Sequence, residues 1–97
     1  MSQDASDRPI EEQVLDGNAV AGQLAAAFGG EMTDRRGQCV HCGSVSMVGA
    51  LRAYVQAPGT VLRCPVCEGV VIRIVETDRE ILVDARGVAY LRIPRGG

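Results

Sequence analysis

Two cysteine pairs, Cys39-Val40-His41-Cys42 and Cys64-Pro65-Val66-Cys67, are the most informative feature of this chain. Each pair has the Cys-x-x-Cys spacing, 21 residues separate the pairs, and the chain has no other cysteine. Four thiolates so spaced have the ligand number of a tetrahedral zinc site, and the intervening segment is long enough for a hairpin that returns to the metal. We therefore predict one structural Zn²⁺ held by Cys39, Cys42, Cys64 and Cys67.

The residues around the cysteines suit tight metal-binding turns. Gly43 directly follows the first pair, Pro65 lies inside the second, and Gly69 comes two residues after it. Structural zinc contributes an apparent ~10–16 kcal/mol in small fingers, compared with a total stability of ~5–15 kcal/mol for a typical domain. In a chain of 97 residues that is only 3% aromatic, we expect the metal to decide whether the domain folds.

Two other uses of the cysteines remain open at this point. A rubredoxin-like iron site also has two Cys-x-x-Cys turns, although only Phe28, Tyr54 and Tyr90 are available to surround it. A zinc-linked thiol redox sensor, in which oxidation ejects the metal, needs no further residues. His41 lies between two cysteines in a tight turn, so we expect an outward-facing ring rather than a metal ligand.

Charge is unevenly distributed along the chain. Residues 1–34 contain seven acids and one arginine, whereas residues 35–97 contain nine arginines and five acids. All ten basic residues are arginines, which is typical of a high-GC genome, and four zinc-bound thiolates would add a net charge of about −2. This balance argues against strong nonspecific attraction to phosphate backbones, while a local arginine site for phosphates or carboxylates remains possible.

The ends of the chain are polar. We expect residues 1–13 to be a flexible acidic arm, residues 14–93 a single zinc-ribbon domain, and residues 94–97 a flexible tail. There is no apolar run long enough to span a membrane and no signal-peptide pattern, so we predict a cytoplasmic protein without a membrane partner.

The domain is predicted to be α+β and mostly β. A helix over residues 16–29 is indicated by Asp16 as N-cap, by Gly29 as a left-handed stop and by an apolar face that includes Leu24 and Phe28. About five short antiparallel strands should follow, with the helix docked on them. Because Val70-Val71-Ile72 does not alternate, we expect part of the sheet to be covered on both faces. The predicted strands span residues 45–55, 60–63, 70–75, 81–83 and 88–93.

Several stretches resemble a family of small, uncharacterised actinobacterial proteins with a zinc-ribbon core. They are Leu15-Asp16-Gly17-Asn18-Ala19 with Gly22, Leu24, Phe28 and Gly29; Cys39-x-x-Cys42-Gly43; Ala57-Pro58-Gly59-Thr60-Val61-Leu62-Arg63-Cys64-Pro65 up to Cys67; and Arg73-Ile74-Val75. The resemblance spans most of residues 14–93 and implies the metal site and the architecture. It implies no catalytic residue, because the family has no established activity.

The sequence favours a non-enzymatic binding module. Four sulfur ligands fill a zinc tetrahedron and leave no open position for a substrate or an activated water. There is also no Ser-His-Asp, paired-carboxylate or phosphate-loop motif, so we expect neither an enzyme nor a small-molecule substrate. The expected partner is a protein or a nucleic acid. The candidate contact residues are Arg52, Arg63, Arg73 and Arg92.

Overall fold

The computed structural model describes residues 14–56 and 59–95. Within these ranges the chain has the predicted mostly β, α+β composition, with eight strands and one α-helix. The elements are β1 (Val14–Asp16), α1 (Ala21–Phe28), β2 (Arg36–Cys39), β3 (Val45–Met47), β4 (Arg52–Gln56), β5 (Gly59–Arg63), β6 (Val70–Glu76), β7 (Ile81–Asp84) and β8 (Val88–Arg92). The predicted acidic arm, residues 57–58 and the last two residues of the predicted tail lie outside the described residues.

The strands form two antiparallel sheets rather than one. The larger sheet has the order β1-β4-β5-β6-β7, and the smaller has the order β3-β2-β8. The prediction of about five strands missed β1 and β2. It also treated residues 45–55 as one strand, whereas a 3-10 turn at Val48–Ala50 divides them between the two sheets.

The break occurs where the 3-10 turn at Val48–Ala50 crosses a second 3-10 turn at Gly17–Val20. Gly17 donates its N–H to the carbonyl of Leu51 at 2.8 Å, and Gly49 donates to the carbonyl of Thr33 at 2.8 Å. A Cβ on Gly17 would lie 2.1 Å from the carbonyl oxygen of Val48, so the two backbones meet where only glycine fits. The crossing fixes the path of the chain from the smaller sheet into the larger one.

The predicted helical segment contains two kinds of helix. A 3-10 turn at Gly17–Val20 leads into α1, and Asp16 Oδ1 accepts a hydrogen bond from the N–H of Ala19 at 3.2 Å. Gly29 ends the helix with φ 84°, as the left-handed stop requires. Leu24 is fully buried, and Gln23 Oε1 accepts a hydrogen bond from the buried Thr60 Oγ1 at 2.7 Å. These contacts dock α1 on the larger sheet.

The core lies on the inner face of the larger sheet. Ala53, Leu62, Ile72 and Ile74 are fully buried there. The smaller sheet covers the part of this face that α1 leaves open, and only about 10 Å³ of space remains among the side chains at that contact. One cysteine-containing turn of each sheet lies at the edge of this shared core.

A β-bulge explains the irregular apolar run in β6. The pairing of β5 with β6 shifts register between Leu62 and Arg63, so that Val71 and Ile72 are both buried. The expectation that the sheet is covered on both faces there is wrong, because Arg73 on the outer face is exposed. Gly87 packs against the bulge, where a Cβ would lie 2.0 Å from the carbonyl oxygen of Val70.

Candidate metal centre

Each sheet contributes one cysteine pair from the end of a hairpin. Cys39 is the last residue of β2, and Cys42 lies in the turn that leads to β3. Cys64 directly follows β5, and Cys67 lies in the turn that leads to β6. The four sulfurs therefore meet where a turn of the smaller sheet faces a turn of the larger one.

The sulfur positions fit one tetrahedral ion. Cys39 Sγ lies 3.7 Å from Cys67 Sγ, and Cys42 Sγ lies 3.8 Å from Cys64 Sγ. All four sulfurs lie within 4.8 Å of one another. A tetrahedron with metal–sulfur bonds of about 2.3 Å has sulfur–sulfur edges of about 3.8 Å. Each of these two short sulfur–sulfur distances is between a cysteine of one turn and a cysteine of the other, so an ion at the centre would link the two sheets.

The first turn directs a backbone N–H group at a cysteine sulfur. His41 donates its N–H to Cys39 Sγ at 3.3 Å. The turn is closed by two backbone hydrogen bonds of 2.9 Å, from Gly43 N–H to the Cys39 carbonyl and from Cys39 N–H to the Ser44 carbonyl. Such N–H donors stabilise a thiolate, which is the form that binds metal.

The second turn repeats this pattern residue for residue. Val66 donates its N–H to Cys64 Sγ at 3.3 Å. Glu68 N–H donates to the Cys64 carbonyl and Cys64 N–H donates to the Gly69 carbonyl, both at 2.9 Å. Two turns in different sheets with the same hydrogen bonds indicate a shared structural requirement at the sulfurs.

The residue after each pair has a left-handed backbone. Gly43 has φ 81° in the first turn, and Glu68 has φ 67° in the second. Within the described ranges Glu68 is the only non-glycine residue with positive φ. A left-handed backbone costs an L-residue ~1–2 kcal/mol, so the second turn retains its shape against a local strain.

The surroundings of the thiols shift their pKa values in different directions. Ser44 Oγ lies 3.1 Å from Cys42 Sγ and 3.4 Å from Cys64 Sγ. The hydrogen bond from Ser44 lowers the pKa of Cys42. Burial raises the pKa of Cys64, but hydrogen bonds from Ser44 and from the N–H groups of Cys67 and Val66 outweigh it and bring the value to about 6.

Cys67 has the opposite shift. The N–H of Gly69 lowers its pKa, but desolvation and the sulfurs of the three other cysteines outweigh this effect and raise the pKa to about 11. Cys39 and Cys64 are buried, whereas Cys42 and Cys67 are exposed. Binding of one ion by all four sulfurs would require release of the proton of Cys67.

His41 lies beside the site without being one of its ligands. Its Nε2 is 3.0 Å from the carbonyl oxygen of Val70 in the larger sheet. The ring lies against Gly69, where a Cβ would be 2.5 Å from it. His41 is exposed, as the sequence predicts, and it also bridges the two sheets. Val40 donates its N–H to the Gly87 carbonyl at 2.9 Å, which extends the pairing of β2 with β8 by one residue.

The four candidate arginines lie on two different sheets. Arg52, Arg63 and Arg73 share the outer face of the larger sheet, with Arg52 directly opposite Arg63. Arg63 is held in place, because its Nη1 donates to the Glu68 carbonyl at 2.9 Å and its guanidinium lies 5.6 Å from the centre of the Tyr54 ring. Arg92 belongs to the smaller sheet.

Sequence reasoning missed the partner of Arg92. Arg36 lies directly opposite Arg92 in the pairing of β2 with β8, and the Arg92 guanidinium lies 5.8 Å from the centre of the Tyr90 ring. Because β2 was not predicted as a strand, Arg36 could not be placed opposite any residue. The Arg36-Gly37-Gln38 segment directly before the first cysteine was the available signal, since a metal-binding turn commonly ends a hairpin strand.

The comparisons with known proteins identify a family without an activity. A family model described as "Family of unknown function (DUF6510)" matches residues 10–96, and the chain belongs to that family. The description states neither a source nor a metal, so the actinobacterial and zinc-ribbon parts of the resemblance stay predictions. No curated protein and no solved structure matches the chain. Among the described residues, no helix has the length and apolarity needed to cross a membrane.

Proposed function

Because membership of this family assigns no activity, we propose from the geometry that the protein is a non-enzymatic binding module organised by one structural zinc ion. Cys39, Cys42, Cys64 and Cys67 would be its four ligands. The observation that carries the proposal is the pair of sulfur–sulfur distances between the two turns, 3.7 Å and 3.8 Å, which match the edge of a zinc–thiolate tetrahedron.

The bound ion would supply a cross-link rather than a reaction. Thiolates are soft ligands that select zinc, iron or copper(I), and the site has a full set of four. The same four residues fit the rubredoxin-like iron alternative, so metal analysis has to separate the two. Two close pairs of cysteines without a disulfide are typical of a reducing compartment, so we propose a cytoplasmic location.

An interaction role is supported by the arginines on the outer sheet faces. Arg52, Arg73 and Arg92 are exposed on strands rather than on loops. Guanidinium groups on a rigid sheet can form bidentate hydrogen bonds with phosphates or carboxylates. We propose a protein or nucleic-acid partner on one of these faces.

Metal analysis of protein purified without added metal tests the proposed structural zinc. We expect one zinc per chain, and removal by a strong chelator should abolish the dispersed amide NMR spectrum. Replacing Cys39 and Cys64 with serine should give the same loss. Val66→Ala is the matched control, because this side chain lies in a turn but is 69% exposed and should retain zinc. Iron in place of zinc, or a full amide spectrum without metal, would contradict the proposal.

A thiol redox sensor is the second candidate, favoured by the exposure of one cysteine in each turn. Cys42 and Cys67 face solvent, so an oxidant can reach both turns. Peroxide would oxidise two thiolates to a disulfide, be reduced to water, and release the metal. Mild peroxide should then release zinc, as a chromogenic indicator would report. Full retention of zinc during thiol-directed oxidation would eliminate this candidate.

A further inference from the structure

The outer face of the smaller sheet has an unusual set of side chains. Pairing places Arg36 between Met47 and Arg92, and it places Gln38 between Val45 and Tyr90. We call these six residues the β2 face. Gln38 Nε2 donates to the Gly43 carbonyl at 3.0 Å, so the β2 face is connected to the first metal-binding turn.

The two arginines of the β2 face oppose each other without a carboxylate between them. Like charges directly opposite on neighbouring strands destabilise a sheet. In the described part of the chain, the ion pairs join Arg35 to Asp34 and Arg86 to Asp84, and neither includes Arg36 or Arg92. The pair therefore has an electrostatic cost that an anionic ligand would offset.

A groove extends from this pair. It has a volume of about 450 Å³ and is lined by Asp34, Arg35, Arg36, Arg92, Ile93 and Pro94. Arg35 Nη1 contacts Asp34 at 2.6 Å, and Arg35 Nε is buried without a hydrogen-bond partner among the described residues. Three guanidinium groups thus line a groove that has one carboxylate, which gives it a net positive charge.

An aromatic ring lies next to the arginines. Tyr90 is 38% exposed, and the Arg92 guanidinium lies near its ring. Exposed aromatic rings beside cationic side chains are stacking platforms for the bases of single-stranded nucleic acids, and guanidinium groups bind the phosphates. The β2 face combines both elements within two residues of one strand.

We propose that the β2 face and its groove bind single-stranded nucleic acid, with Arg36 and Arg92 at phosphates and Tyr90 stacked on a base. This inference rests on the proposed binding module and names its partner and surface. An open face of three short strands can take an extended strand. In contrast, α1, the one α-helix of the described residues, has no arginine or lysine that could contact the phosphates of a duplex.

The outer face of the larger sheet is the weaker choice for an anion. Asp16 lies opposite Arg52 and Asp84 lies opposite Arg73, so acids flank its arginines. Arg63 already donates to the Glu68 carbonyl. The acidic total charge of the chain does not oppose the assignment. Salt screens charges that lie farther than a Debye length of ~10 Å from a bound phosphate, so the arginines near the groove dominate.

Binding should be measured by fluorescence anisotropy with the full zinc-loaded chain. The probes are labelled oligouridylate and oligothymidylate of ~12 nucleotides, with a duplex and an oligoglutamate peptide as competitors. Arg36→Gln with Arg92→Gln should weaken binding by at least about tenfold and reduce the salt slope by about 1.4, because two phosphate contacts are lost. Tyr90→Ala should weaken binding by about tenfold with the slope unchanged.

Arg79→Gln is the charge-matched control, since Arg79 lies exposed in the turn before β7, and it should leave binding unchanged. The inference is overturned if the zinc-loaded protein binds neither oligonucleotide. It also fails if duplex or oligoglutamate competes more strongly than unlabelled single strand, or if only Arg52→Gln with Arg63→Gln weakens binding. The zinc content of each sample separates these outcomes from failure of the structural zinc, which would appear as metal-free protein.

Discussion

At the scale of single residues, the two cysteine-containing turns differ in the residue that follows the cysteine pair. Gly43 and Glu68 occupy the same place, with the same left-handed backbone and the same hydrogen bond to the first cysteine of their pair. Glycine adopts this conformation without steric cost, whereas glutamate does not. The second turn is therefore the more strained of the two.

Relief of this strain gives the first prediction. Glu68→Gly should raise the free energy of unfolding of the zinc-loaded protein by up to ~1 kcal/mol, because the left-handed penalty exceeds the added chain entropy of glycine. Denaturant unfolding measures the change. Arg63 is unaffected, since it contacts the Glu68 backbone carbonyl. The converse change, Gly43→Ala, should lower the free energy of unfolding. A more stable Gly43→Ala protein would refute the explanation by left-handed backbone strain.

A second prediction concerns the ion pair at the end of β7. Arg86 Nη2 lies 2.7 Å from Asp84 Oδ2, and the hydrogen bonds from Arg86 lower the pKa of Asp84 to about 2. Arg86→Gln should therefore raise this pKa toward the ordinary value of 3.8, as a carboxyl NMR titration would show. Arg79→Gln should leave the pKa of Asp84 unchanged.

The sign of the pH effect follows from the lowered value. The pair contributes stability above the ordinary pKa of Asp84, and this contribution is lost as the pH falls from about 4 to about 2. Arg86→Gln should thus reduce the difference in stability between these two pH values. An unchanged Asp84 titration in the Arg86→Gln variant would show that Arg86 does not cause the lowered pKa of Asp84.

At the scale of elements, the glycines near α1 have different roles. A Cβ on Gly17 would meet the Val48 carbonyl, whereas a Cβ on Gly22 would meet nothing within 4 Å. Gly17→Ala should lower the free energy of unfolding by more than ~2 kcal/mol, since the two crossing backbone segments must move apart. Gly22→Ala, the matched control inside α1, should stabilise by up to ~1 kcal/mol. Thermal unfolding measures the stability of both variants. Equal changes in stability would contradict the close backbone contact at Gly17.

Sequence reasoning predicted the elements whose signals are local. The caps at Asp16 and Gly29 are chemical features of one turn, and strands such as β5 and β6 have their own apolar residues. The cysteine spacing likewise predicted a cluster that the structure assembles from both sheets. These features depend on residues close in sequence or on one repeated motif.

The missed elements depend on distant contacts. β1 has three residues and is a strand only because it pairs with β4. Residues 45–55 are apolar enough for one strand, but the contact with Gly17 breaks them at Gly49. The bulge that buries both Val71 and Ile72 likewise requires the partner strand β5. No local pattern shows these pairings, and Arg36 could not be assigned to a face without them.

At the scale of the whole molecule, the four sulfurs meet between the two sheets at one end of their shared core, where an ion would join them. The hydrogen bond between His41 and Val70 reinforces the same junction. A small core with few aromatic residues has limited stability of its own. We expect the two sheets to lose their relative arrangement when the metal is removed.

Zinc-edge X-ray absorption of the protein as purified tests this central claim most directly. The account predicts four sulfur scatterers at about 2.3 Å and no nitrogen or oxygen ligand. A nitrogen or oxygen scatterer at about 2.0–2.1 Å, or fewer than four sulfurs, would contradict a zinc ion held by both cysteine pairs.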